Sequence, residues 1–144
     1  MGKLGRASNV GLGGASLGSR VLLVEDEVNI YEAISFILSR EGWEVSGHGN
    51  GATAVEEVAR AKPDVLVLDV MLPGRSGLDI LRDLRGQPET ANLPVLMLTA
   101  KGQSKDRDLA LALGANAYLT KPFSNSEMVE TLRMVAEGGR KAGT

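Results

Sequence analysis

The chain has 144 residues and a formal charge of −2, from 16 basic and 18 acidic side chains, with no cysteine and a single histidine. That length suits one domain with its own core, while the missing cysteines exclude disulfides, thiolate chemistry and Cys-built zinc sites, and one histidine excludes a multi-histidine metal centre. No basic block supports direct nucleic-acid binding, and no apolar stretch approaches the roughly 20 residues that a membrane span requires.

Residues 1–19 differ in kind from the rest: rich in Gly and Ser, with Lys3 and Arg6 and no acid. They read as a flexible tail, and residues 138–144 as a second one, leaving one domain over 20–137. Beyond Arg20 the balance is 13 basic against 18 acidic residues, a formal −5. Gly11-Leu-Gly13-Gly14-Ala-Ser16 looks like a phosphate-binding loop but precedes a strand instead of following one. Met1-Gly2 suggests myristoylation, yet position 6 is Arg6 where that signal needs Ser or Thr.

From Arg20 onward, strands and helices alternate. Val21–Val24 reads as a buried strand, and Asn29–Arg40 as a helix with Ile30, Ala33, Ile34, Ile37 and Leu38 on one face, ended by Gly42. Trp43–Gly47 reads as a weaker strand at a sheet edge, and Ala52–Ala61 as a helix stopped near Pro63. Val65–Leu68 is continuously apolar and belongs in the sheet centre. The loop Met71-Leu-Pro73-Gly74-Arg-Ser76-Gly77 leads to a helix over 78–85. Val95–Leu98 forms a fourth strand, and 103–113 a helix closed by Gly114. Tyr118–Leu119 lies in a short fifth strand, and Ser124 caps a last helix running to about Ala136. Five βα units predict an α/β fold, a doubly wound three-layer sandwich with right-handed crossovers.

If the apolar runs are parallel strands, Glu25, Asp26, Asp69, Thr99 and Lys121 all gather at the carboxyl end of the sheet, where open α/β sheets bind ligands. Carboxylates about 5 Å apart repel by roughly 3 kcal/mol per pair at an effective dielectric near 20, more than one lysine offsets for three of them. A divalent cation is therefore expected, and all-oxygen ligation favours Mg²⁺ over zinc. Acids that merely decorate strand ends would explain one such residue, not five at matching ends. Asp64 begins its strand and so falls at the opposite end. Asp79 and Asp83 lie on the following helix and read as solvated.

Those residues stand in motifs of a known family. Val24-Glu25-Asp26-Glu27, Leu68-Asp69-Val-Met71-Leu72-Pro73-Gly74 with Gly77, Leu98-Thr99-Ala100, and Gly114-Ala115 followed by Tyr118 and Lys121-Pro122-Phe123 resemble the receiver domain of two-component response regulators, over about residues 20–137. The resemblance implies a flavodoxin-like sheet of order 2-1-3-4-5 and a cytoplasmic signalling module, not a turnover enzyme. It makes Asp69 the acceptor of a phosphoryl group from a histidine kinase or histidine phosphotransfer protein. Asp26, Asp69 and the Met71 backbone carbonyl would ligate Mg²⁺ (or Mn²⁺), with Glu25 acting through water. Lys121 and the Ala100 N–H would bind phosphoryl oxygens. The Thr99 hydroxyl would close on another, and Tyr118 would rotate into the space it leaves. The face of the fourth helix, fifth strand and fifth helix would then meet an output partner. The Lys121-Pro122 bond would be cis, a geometry accessible in practice only before proline.

The chain departs from the relatives joined to winged-helix DNA-binding domains in having Asn116 and Ala117 before the tyrosine, and Ala112 and Leu113 at the helix end. Their symmetric dimer is not implied here. Leu109, Leu111 and Leu113 make the fourth helix apolar and suggest a partner surface. Met71 and Lys101, both long, predict slow loss of the phosphoryl group. His48, placed after the second strand, reads as a surface residue far from the site. Two other readings use the same residues. A haloacid-dehalogenase-like phosphatase needs a second Asp two positions after the nucleophile, where Met71 stands, and a pseudo-receiver would bind partners without phosphorylation.

Overall fold

The computed structural model describes residues 19–100 and 103–142, so the readings made on the first 18 residues and on Lys101 lie outside it. Five strands alternate with five helices: β1 (Arg20–Val24), α1 (Val28–Arg40), β2 (Glu44–His48), α2 (Ala54–Ala61), β3 (Val65–Asp69), α3 (Gly77–Arg85), β4 (Val95–Ala100), α4 (Ser104–Ala112), β5 (Ala117–Lys121) and α5 (Asn125–Ala142). All pairings are parallel, in the order β2-β1-β3-β4-β5, as the family resemblance implied.

The three central strands are the three most apolar runs. Because successive side chains point to opposite faces of a strand, each run fills two cores at once. Val21, Leu23, Val65, Val67, Leu96 and Leu98 face α1 and α5, against Ile34, Leu38, Met128 and Leu132. Leu22, Val24, Leu66, Leu68, Val95 and Met97 face α2, α3 and α4, against Val58, Ile80, Leu81, Leu84 and Ala110. Strand β2 forms one edge and carries only half-buried and exposed residues, as its weak alternation predicts.

Helix ends follow local chemistry. The Ser76 hydroxyl accepts the Leu78 N–H (3.1 Å) at the start of α3. Ser124 and Glu127 cap α5 reciprocally: the Ser124 hydroxyl accepts the Glu127 N–H (3.0 Å), and the Glu127 carboxylate accepts the Ser124 N–H (2.8 Å). Gly114 closes the α4 end at φ +106°, a left-handed geometry that glycine adopts without penalty. Helix α5 runs to Ala142, beyond the expected end near Ala136. Each of Gly138 and Gly139 costs a helix about 1 kcal/mol relative to alanine, which weakens it without breaking it.

At the amino end of the sheet, Arg85 ties three elements together. Its guanidinium donates to the Gly114 carbonyl (2.9 and 3.0 Å), the Thr90 carbonyl (3.1 Å) and Asn116 Oδ1 (3.1 Å). Asn116 Oδ1 also accepts the Val95 N–H (2.8 Å). Asp64 lies at this end too and accepts the Arg20 N–H (2.7 Å), as expected of a residue that opens its strand. No helix among the described residues is long and apolar enough to cross a membrane.

Candidate functional site

At the opposite, carboxyl end, β1 leads into Glu25 and Asp26, β3 closes on Asp69, and β5 closes on Lys121. One oxygen from each of the three carboxylates lies within 4.8 Å of the others. Strand register produces this convergence. Asp69 pairs with Leu98 of β4, Val24 pairs with Leu68, and the Glu25 N–H continues the ladder to the His48 carbonyl (3.0 Å).

Lys121 is shared between two acids. Its ammonium donates to Glu25 Oε1 (3.1 Å) and to Asp69 Oδ2 (3.0 Å). Glu25 Oε2 accepts the Glu27 N–H (3.0 Å), and Asp69 Oδ1 accepts the Met71 N–H (3.3 Å). The Glu25 side chain is 0% exposed and that of Asp69 4%, so both charges depend on these partners. Burial pushes the Glu25 carboxyl above its ordinary range. The Glu27 N–H opposes this, nearby Asp69 reinforces it, and Lys121 opposes it. Burial pulls the Lys121 ammonium down, but hydrogen bonding and attraction to Asp69 and Glu25 outweigh it and hold the amine protonated.

Three carboxylates against one ammonium leave a formal −2. Two of the acids are buried while Asp26 is exposed, which opens the cluster to solvent on one side. An all-oxygen donor set with that charge and a solvent-facing side suits a hard dication that keeps some of its water. The donor set therefore fits Mg²⁺.

Thr99 stands at the same strand end and is 1% exposed. Its hydroxyl is turned sideways, donating to the Leu119 carbonyl (3.4 Å) and lying 3.4 Å from the Thr120 hydroxyl. The structure thus gathers Glu25, Asp26, Asp69 and Lys121, with Thr99 directed to β5. Ala100 ends β4 opposite Lys121. Tyr118 is half-buried, and the Arg107 guanidinium lies over its ring, 5.4 Å from the centroid. The Lys121-Pro122 peptide is cis. Leu109 and Leu111 are both 44% exposed on α4, whereas Leu113 packs against the core.

One sequence expectation is corrected. His48 is not remote from the site: it is the last residue of β2, and its carbonyl receives the Glu25 N–H. An edge strand one residue longer than its pattern suggested carries it to the carboxyl end of the sheet. Its ring turns away, to the Thr53 hydroxyl (2.7 Å).

Gly77 has a role that its motif alone did not reveal. A Cβ there would overlap the Asp69 carbonyl oxygen, so only glycine lets α3 start this close to the end of β3. Its N–H donates to the Val70 carbonyl (2.9 Å), closing the base of the loop that begins with Met71. Gly51 and Arg107 also matter to the geometry, and the sequence carried no local signal for their contacts.

Residues 21–133 match the family model described as the response regulator receiver domain. The chain is 49% identical over 113 residues to the "Probable transcriptional regulatory protein TcrX" of Mycobacterium tuberculosis, covering 78% of this chain and 47% of that one. The chain spans about half the length of the curated relatives it matches. Among solved structures, the receiver domain of the sensor histidine kinase PA1611 from Pseudomonas aeruginosa, described with a magnesium ion in its active-site cleft, is 32% identical with a TM-score of 0.76. That match covers 83% of this chain and 98% of the other. The chemotaxis response regulator CheY4 of Vibrio cholerae is 31% identical with a TM-score of 0.75, over 81% and 98%.

Proposed function

Because the chain belongs to the family of response regulator receiver domains, we propose that Asp69 accepts a phosphoryl group from the phosphohistidine of a kinase or phosphotransfer protein. The observation that carries this reading is the Asp69 carboxylate itself. It is nearly buried, held by Lys121 at 3.0 Å, and grouped with two further carboxylates. A structural ion pair needs one acid and one base, and this site has two acids more.

In the transfer, an Asp69 oxygen attacks phosphorus in line with the departing imidazole nitrogen. The O–P bond forms as the P–N bond breaks, and the imidazole leaves with a proton. Such transfers depend on positioning and charge neutralisation more than on covalent machinery. Asp26, Asp69 and the Met71 carbonyl would hold Mg²⁺ or Mn²⁺, with Glu25 acting through water, and the bound ion supplies positive charge for the phosphoryl oxygens. Lys121 exchanges its contact with Asp69 for one with a phosphoryl oxygen, and the Ala100 N–H donates to another.

The Thr99 hydroxyl then leaves the Leu119 carbonyl for the phosphoryl group, and Tyr118 turns into the vacated space. The changed surface, α4–β5–α5, is what an output partner reads. The relative named above is described as a probable transcriptional regulatory protein, and the matched segment makes up 47% of its length. A DNA-binding output through a separate domain is therefore one route, and contact with another protein is the alternative. The chain acts as a signalling module and not as a turnover enzyme.

The test is intact mass after incubation with acetyl phosphate and Mg²⁺. One added phosphoryl group is expected, absent without metal and absent from Asp69→Asn. No addition under any condition would leave a receiver that binds without being phosphorylated.

A further inference from the structure

The loop that follows Asp69 is pinned at two points. At its base is the Gly77 N–H bond to the Val70 carbonyl. At its crest, the Gly51 N–H donates to the Pro73 carbonyl (2.9 Å) from the loop that follows β2. Gly51 is buried, and a Cβ there would overlap the Arg75 carbonyl oxygen and lie 2.9 Å from both the Arg75 nitrogen and the Pro73 oxygen. Gly74, at φ +84°, repeats the close approach. A Cβ on it would lie 2.9 Å from Asn50 Oδ1, the same oxygen that accepts the Ala52 N–H (2.8 Å). The two loops therefore lie backbone against backbone, and Met71 sits between the two pins.

We propose that Gly51 is a positioning residue for the divalent-metal site, setting the Met71 carbonyl by bracing residues 73–75 from the β2 side. This rests on the reading of Met71 as a metal ligand through its carbonyl. A carbonyl in a loop has no side-chain rotamer to adjust, so its direction follows the loop backbone. Any side chain at position 51 pushes directly on Arg75 and Pro73, backbone that cannot swing aside. The displacement passes to Met71, two residues before Pro73, because Gly77 prevents the loop base from moving with it. Groups that orient metal ligands in this way typically govern affinity by about 10- to 100-fold.

The experiment is a calorimetric Mg²⁺ titration of the full chain, of Gly51→Ala and of Asn50→Ala, with Thr53→Val as control. Thr53 lies on the same loop, but its hydroxyl bonds the His48 ring (2.7 Å). Gly51→Ala is expected to raise the Mg²⁺ Kd about 10-fold or more. Asn50→Ala is expected to raise it less, and Thr53→Val to leave it unchanged. In acetyl phosphate labelling, the Mg²⁺ concentration for half-maximal rate rises while the rate at saturating Mg²⁺ holds. A merely structural role would lower the urea midpoint and leave that half-saturation where it was. Folded Gly51→Ala and Asn50→Ala proteins with unaltered Kd would overturn the inference, and if Gly51→Ala does not fold, Asn50→Ala decides alone. An unaltered chain that binds no Mg²⁺ would remove the reading of the site, and this inference with it.

Discussion

The guanidinium of Arg107 covers the ring of Tyr118 at 5.4 Å, and its Nη1 lies 3.5 Å from the phenol oxygen. Arg107 belongs to α4 and Tyr118 to β5, so this contact holds the ring of the proposed switch residue against the neighbouring helix. A cation over an aromatic face at a partly exposed site is worth about 0.5–1 kcal/mol. A double-mutant cycle with Arg107→Ala and Tyr118→Leu, read by urea unfolding, is expected to return a coupling of about that size. Strict additivity would mean that the stacked pair contributes nothing to holding the ring.

Gly77→Ala tests the tightest backbone approach at the site. The new methyl meets the Asp69 carbonyl oxygen, an atom fixed in the sheet, so α3 must shift away from β3. The expected loss is about 1–3 kcal/mol of stability, as for other overpacked positions. Thermal or urea denaturation checks it. Phosphoryl labelling should fall as well, since the loop that begins with Met71 shifts with the start of α3.

Lys121→Met leaves Glu25 and Asp69 facing each other without their common counter-charge. Removing one partner of a buried ion pair costs about 3 kcal/mol, because the remaining charge has lost its compensation. Without divalent metal, the variant is expected to unfold at a distinctly lower urea concentration at neutral pH. Adding Mg²⁺ should return part of that difference in the variant, and more than it adds to the unaltered chain. Equal Mg²⁺ effects in both proteins would argue against metal at these carboxylates.

Asp83 supplies a pH dependence outside the carboxylate cluster. Hydrogen bonds from Gln87 first and Arg75 second hold its carboxyl below the ordinary value of 3.8. The folded state therefore binds the proton less readily than the unfolded one. The resulting stability is present above that ordinary value and is lost as pH falls through the lowered one. Asp83→Asn is expected to be less stable at neutral pH and to converge with the unaltered chain in strong acid. Urea midpoints across that range measure the gap, which is small because Asp83 is only half-buried and solvent screens its charge.

The strands and the charged part of the site were legible for one physical reason. A strand buried on both faces must be continuously apolar, so the first polar residue after Val65–Leu68 marks where the sheet meets water. That rule found Asp69, and the end of the first run gave Glu25 and Asp26 in the same way, while Lys121 came from the end of the shorter fifth run. It worked poorly for β2, an edge strand with exposed residues, and so His48 was placed after the strand and far from the site, whereas it ends β2 beside Glu25. The end of α5 was also hidden, because Gly138-Gly139-Arg140-Lys141 has the composition of a tail while the helix continues to Ala142. The sharing of Lys121 between two acids, the sideways turn of Thr99 and the seat of Gly51 against Arg75 were not readable. Each depends on residues brought together from distant parts of the chain, with no pattern in either partner to announce it.

Strand β3 can be regarded as a ruler with a charge at each end. Between Asp64, which holds the Arg20 N–H, and Asp69, which faces Lys121, lie four buried apolar residues. Apolar side chains alone would let such a strand slide, since every one of them suits either face. The two aspartates forbid it, because a slip of one residue drags a carboxylate into the core at one end and withdraws the other from its cation. The distance from Asp64 to Asp69 thus fixes where the proposed phosphoacceptor stands relative to Lys121. The carboxylate cluster at one end of the sheet is kept in register by an acid at the other.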